Sequence, residues 1–156
     1  MKQDRKELIK KMIPKAVLHA QNEESAFATF RSCFIEETIG IWNFPFRIGR
    51  ECRIKVLNNE NVITSRHSTL STITNNDLYI VDIADKLQIS REHLSIVNEE
   101  NKYFLIDKSS TCGTYINEVL VEQMKKHELK DGDIIKLGSA ESPYVFEFVV
   151  LDGEVI

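Results

Sequence analysis

The chain has 156 residues, 42% hydrophobic and 28% charged, proportions that support one buried core without disulfide or metal staples. No apolar run approaches the ~20 residues of a membrane helix, and the opening MKQDRKELIKKMIPK lacks the apolar stretch of a signal peptide. Neither a membrane-spanning nor a secreted protein is therefore expected, and a cytoplasmic location is. The formal charge of −4 is uneven: residues 1–15 hold six Lys/Arg and two Asp/Glu, net +4, which leaves −8 on the remainder. An acidic body of this kind is a poor electrostatic partner for nucleic acid.

Residues 4–13 predict a short amphipathic helix, with Leu8, Ile9, Met12 and Ile13 on one face and Pro14 as the stop. Residues 1–25 together read as a basic N-terminal extension, partly helical. Between Ala26 and Ile35, Phe27, Phe30 and Phe34 have helix-like spacing, but the Phe, Thr and Ile content and the β pattern that follows favour strands. From Phe46 onward, short strands are expected at Phe46 to Ile48, Leu78 to Val81, His93 to Val97, Tyr103 to Ile106, Thr114 to Ile116, Asp133 to Leu137 and Tyr144 to Val150. Turn residues separate them at Asn98 to Asn101, Ser109 to Gly113, Lys130 to Gly132 and Ser139 to Pro143. Many short strands with no helices between them predict an all-β antiparallel sandwich. One polar, hydroxyl-rich stretch between Asn58 and Asn76 reads as an enlarged loop or an extra hairpin.

Cys33, Cys52 and Cys112 are odd in number and widely spaced, and His19, His67, His93 and His127 show no ligand spacing. Reduced thiols, no metal and no cofactor are expected. Chemistry concentrates instead at strand ends. Gly49-Arg50 follows an apolar strand; Ser90-Arg91-Glu92-His93 precedes another; DKSSTCGT over residues 107–114 is a hydroxyl-rich turn. Loops of a sandwich gather at its two ends, so turns distant in sequence can face one ligand. Arg50, Ser90, Arg91 and Thr111 suit a phosphate, because guanidinium groups offer planar charge-assisted donors while hydroxyls bond the remaining oxygens. The chain has no Gly-x-x-x-x-Gly-Lys-Ser/Thr loop for a nucleotide, so a phosphate carried on another protein fits better. Ser90, His93 and Asp107 are residue types of a hydrolytic triad, but no Gly-x-Ser-x-Gly elbow accompanies them, and no enzyme is expected.

FRIGRE, ISREHLSI, LIDKSSTCGTYIN and LKDGDIIKLG, in this order and spacing, resemble the motifs of the forkhead-associated (FHA) domain family. The resemblance implies an FHA-type sandwich of eleven strands over residues 26–151, followed by a tail at 152–156. It also implies a non-enzymatic signalling module that binds phosphothreonine proteins, with a Ser/Thr kinase upstream. Carried over by position, Arg50 and Ser90 become phosphate ligands, Arg91 a further phosphate or peptide donor, and Thr111 a residue of the ligand-facing loop. Cys112 stands where the family usually has an asparagine that bonds the peptide backbone. Asn117 matches an asparagine that holds the binding loops or the peptide, although Glu118 replaces the glycine usual after it. Gly49, His93 and Gly113 take supporting roles around the pocket. Cys112 also motivates an alternative, an FHA-like structural interaction module with weak or no phosphopeptide binding. Thr64, Thr69, Thr72 and Thr74 are candidate phosphorylation sites, and the 61–75 loop is a candidate for self-association through the Arg50 pocket of a neighbouring copy.

Overall fold

Alternating burial along short apolar segments, inward on one face and outward on the other, builds this chain. In the computed structural model, which describes residues 5–52, 54–57, 60–63 and 75–151, helix α1 (Arg5–Met12) leads through Pro14 into strand β1 (Ala16–Ala20). Helix α2 (Glu23–Ala28) and a single 3-10 turn (Phe30–Ser32) follow, then β2 (Thr38–Ile41), β3 (Phe46–Arg50), β4 (Ile54–Leu57), β5 (Glu60–Ile63) and β6 (Leu78–Ile80). The second half is β throughout: β7 (Leu94–Glu99), β8 (Lys102–Asp107), β9 (Thr114–Ile116), β10 (Val119–Leu120), β11 (Lys126–Leu129), β12 (Ile134–Leu137) and β13 (Val145–Val150).

Two sheets form the sandwich, one in the order β10-β9-β12-β13-β1-β2 and the other β11-β8-β7-β3-β6, which is eleven strands among the described residues. Pairing within them is antiparallel except between β3 and β6, which run parallel with Ile48 beside Leu78. Among the described residues, strands β4 and β5 pair with each other alone, so the start of the polar stretch forms one arm of a hairpin. Thr64, Thr69, Thr72 and Thr74, most of the 61–75 loop and the 152–156 tail lie outside the described residues.

The inner faces meet in one core. Leu18, Ile39, Ile135, Phe146 and Phe148 come from the first sheet, and Ile48, Leu78, Ile80, Leu94, Ile96 and Leu105 from the second. Tyr103 and Phe148 join the layers edge to face, 5.4 Å between ring centres. Each such side chain contributes roughly 1.5–3 kcal/mol on burial.

Two expectations are corrected. The sandwich begins at Ala16, not at residue 26: β1 is flanked by β13 on one side and β2 on the other, and Ala16, Val17, Leu18 and Ala20 are buried. Its five residues are too short to declare a period, and only pairing with two distant strands reveals them. The expected strands between Ala26 and Ile35 are instead the end of α2 and the 3-10 turn. Asn22 decides this locally, since its side-chain oxygen accepts the Ser25 N–H at 2.8 Å and caps the helix. Ser25 then locks α2 to the sheet, donating its hydroxyl to Pro143 O at 3.0 Å and accepting the Val145 N–H at 2.8 Å. The helical spacing of Phe27 and Phe30 was the sounder signal, and the two rings stack on the surface with centres 5.9 Å apart.

Candidate functional site

Strand β3 delivers Arg50 to one end of the sandwich, and hydrogen bonds fasten it to the loop that precedes β7. Its backbone N–H donates to Ser90 O at 2.9 Å, and guanidinium Nη1 donates to Ile89 O at 3.3 Å. A cleft of about 390 Å³ opens here, lined by Arg50, Ser90, Arg91, Thr111 and Cys112 together with Leu87 to Ile89. Among the described residues, two arginines and no carboxylate line this space, although the chain as a whole is acidic.

The hydroxyls are set by the backbone. Ser90 Oγ accepts the Thr111 N–H at 2.9 Å, which ties the two loops together. A hydroxyl has one proton to give, and with the acceptor side engaged that proton is left to donate into the cleft. Cys112 donates weakly from Sγ to Leu87 O at 3.4 Å.

His93 stands behind the cleft, fully buried. Its Nδ1 accepts the Ser90 N–H at 3.0 Å, so the ring proton lies on Nε2, which donates to Gly113 O at 2.9 Å. Burial lowers its pKa from the ordinary histidine value, against the opposing effects of the Gly113 carbonyl and the Asp107 and Asp82 carboxylates. The ring is a neutral brace between the loops carrying Ser90 and Gly113. With both nitrogens committed to backbone, and Ser90 Oγ bonded to Thr111, the Ser90, His93 and Asp107 side chains do not form a hydrolytic relay.

Glycine is required at two places. A Cβ on Gly49 would lie 1.9 Å from Arg91 O, the carbonyl that also accepts from Asn76 Nδ2 at 2.6 Å. Gly113 has φ +96, a conformation that side chains disfavour.

Three structural groups were not read from the sequence. Asp107, fully buried, accepts from Ser110 N and Oγ at 2.8 and 2.6 Å and from Thr114 Oγ1 at 2.6 Å, shaping the loop that presents Thr111. Asp82 accepts from the Gln88 and Ile89 N–H groups at 2.6 and 2.8 Å and from Tyr144 Oη at 2.9 Å, shaping the loop that leads to Ser90. Asn76 is the third. A lone Asp or Asn in a polar stretch carries no signal beyond turn chemistry, and spacing alone does not expose these partnerships.

The fold does not bring Asn117 to the cleft. It lies at the far end of β9, where its Nδ2 donates to Asp133 Oδ1 and its Oδ1 accepts the Ile134 N–H, both at 2.9 Å. Asn117 and Glu118 have φ of 49 and 69, so Glu118 adopts the left-handed turn without the expected glycine. Arg50, Ser90, Arg91, Thr111 and Cys112 are brought together, with Gly49, His93 and Gly113 around them.

The model of the FHA domain matches residues 83–138. No curated protein matches the sequence. Among solved structures, the MEK1 FHA domain in complex with a HOP1 phosphothreonine peptide is 18% identical, with 90% of this chain and 100% of that chain covered and a TM-score of 0.52. Full-length yeast Pml1p is 17% identical, covering 86% and 78% with a TM-score of 0.53. Mycobacterium tuberculosis EmbR, in complex with a low-affinity phosphopeptide, is 18% identical, covering 92% of this chain and 28% of its own, with a TM-score of 0.52.

Proposed function

We propose, from the FHA domain this chain carries, that it is a protein-interaction module that binds phosphothreonine on partner proteins and performs no catalysis of its own. The observation that carries this reading is the convergence of Arg50, Ser90 and Thr111 on one cleft with no carboxylate among its described lining residues. A phosphate dianion placed there meets the Arg50 guanidinium, the Ser90 hydroxyl proton and the Arg91 side of the cleft. Each charge-assisted bond contributes about 1.5–3 kcal/mol net. The solved complexes of MEK1 and EmbR with phosphopeptides support the same class of ligand. Such a module acts downstream of a Ser/Thr kinase in signal transduction, and its expected place is the cytoplasm.

Fluorescence polarisation with one peptide in phosphothreonine, phosphoserine and unmodified forms tests this. Phosphothreonine binds tightest and the unmodified peptide not at all. Arg50→Ala weakens the phosphothreonine complex by about tenfold or more, the loss of one such bond, while the thermal unfolding midpoint stays near that of the parent. Equal binding of all three peptides would favour the structural-module alternative.

A further inference from the structure

Away from the phosphate cleft, the molecule exposes two surfaces of opposite charge and shared apolar character. One is α1, which buries no residue: Leu8, Ile9 and Met12 are 65%, 54% and 67% exposed. Lys6, Lys10 and Lys11 flank that face, and residues 5–12 hold four Lys/Arg against one Glu. The other is an apolar cleft of about 360 Å³ beside α2, walled by Phe27, Ile83 and Pro143 with Glu23 and Glu24 lining it as well. Phe27 and Ile83 are 55% and 52% exposed. Among the described residues, neither Glu23 nor Glu24 makes an ion pair.

The two surfaces do not meet within one chain. Helix α1 enters the start of β1 and α2 leaves its end, and both ends are pinned, Lys15 N–H to Ile41 O at 2.9 Å and Gln21 N–H to Val145 O at 3.0 Å. Five extended residues set them roughly 17 Å apart.

We propose that this chain self-associates by seating α1 of one copy in the Phe27–Ile83 cleft of another, with Leu8, Ile9 and Met12 in the cleft and Lys10 and Lys11 against Glu23 and Glu24. The charges argue for this occupant. Among the described residues the cleft's ionised lining groups are acidic, and the helix at the other end of β1 is basic with an apolar stripe of matching kind. An eight-residue helix is marginal by itself, and docking supplies the tertiary support it lacks. A two-fold pair makes the contact twice, each copy donating its helix and receiving the other.

Sedimentation velocity of the full chain over a concentration series is the test, with hydrogen exchange of residues 5–12 as a second readout. The expected result is a monomer–dimer shift in which the helix amides gain protection as concentration rises. Lys10→Glu with Lys11→Glu, and separately Glu23→Lys with Glu24→Lys, each weaken the dimer by about tenfold or more. Mixing the two variants restores it, because each altered helix then faces the cleft of opposite charge. Ile9→Asp, a change outside the sandwich, gives the same loss with unchanged far-ultraviolet circular dichroism. A chain that stays monomeric at hundreds of micromolar, or a dimer indifferent to both charge reversals, overturns the proposal. So does a free peptide of residues 1–15 that fails to compete with the dimer at millimolar concentration.

Discussion

Arg50 shows how one side chain is fixed by the loop it meets. Its backbone N–H and its guanidinium both donate to the loop that carries Ser90, so under the function proposed above less freedom would be lost on binding a phosphate. Ser90 Oγ is held by its acceptor side, through the Thr111 N–H. Under the function proposed above, Cys112 stands where an asparagine would bond the peptide, and its weak bond to Leu87 O is the main hydrogen bond a substitution would remove. Cys112→Asn is therefore expected to bind a phosphothreonine peptide as tightly as the parent or more so, measured by calorimetry. A large loss would mean that this position does not face the peptide. For His93 the direction of pH dependence follows from burial. Its folded pKa is lowered, so between that value and the ordinary ~6.5 the unfolded chain binds more protons than the folded one. The stability that rests on this neutral ring is complete above ~6.5 and is lost progressively as pH falls through that window, while the folded ring itself stays neutral until its own lower pKa. The urea midpoint should decline below about pH 6.5, and the His93 ring resonances should titrate at lower pH than an ordinary histidine. A flat profile would contradict the brace.

At the scale of elements, the cleft is the work of loops held by buried carboxylates rather than of the strands alone. Asp107 organises the turn after β8, Asp82 the turn before Ser90, and Tyr144 links Asp82 to the start of β13. The Asp82 contact and burial both push the Tyr144 phenol well above its usual pKa, burial being the larger effect, so it remains a donor. Gly49 is the tightest point in this arrangement. Gly49→Ala forces the Arg91 carbonyl away and with it the Ser90 loop. Phosphopeptide affinity should fall by about tenfold or more, with a stability loss of about 1–3 kcal/mol from the clash. Unchanged affinity in a titration would show that the loop has room to move.

The whole molecule depends on a strand that its sequence barely announces. Since β1 bridges β13 and β2, removing it splits the first sheet and uncovers Leu18's neighbours in the core. A chain starting at Ile13 is expected to fold with a cooperative thermal transition, because α1 contributes nothing to the core. A chain starting at Gln21 is expected not to fold, as circular dichroism would report. The reverse ranking would show that the sandwich does not rely on β1. Charge is also a property of this scale: a net acidic body leaves the Arg50 and Arg91 cleft as a local basic feature, which limits non-specific attraction to polyanions.

Local chemistry was enough for much of this architecture. Apolar runs bounded by turn residues located β3, β6, β7, β8, β9, β12 and β13 because each strand buries one face and each turn needs Gly, Asn, Asp or Ser. The spacing of Gly49-Arg50, Ser90 and Gly113 marked the strand ends that the fold gathers around one cleft. What the tertiary structure alone decided was non-local. The strands β1, β2 and β11 are short or polar and are stabilised by partners far along the chain, while the two-residue β10 pairs across a tight turn with β9; the α2 segment, capped locally by Asn22, is held to the sheet by its bonds to the residues around Pro143. Asn117, close in sequence to the binding loop, was carried to the opposite end of β9 because a strand displaces its two ends by its own length. Side-chain type can be read one residue at a time, but whether two groups share a cleft depends on register and sheet order, which pairings across the whole chain establish together.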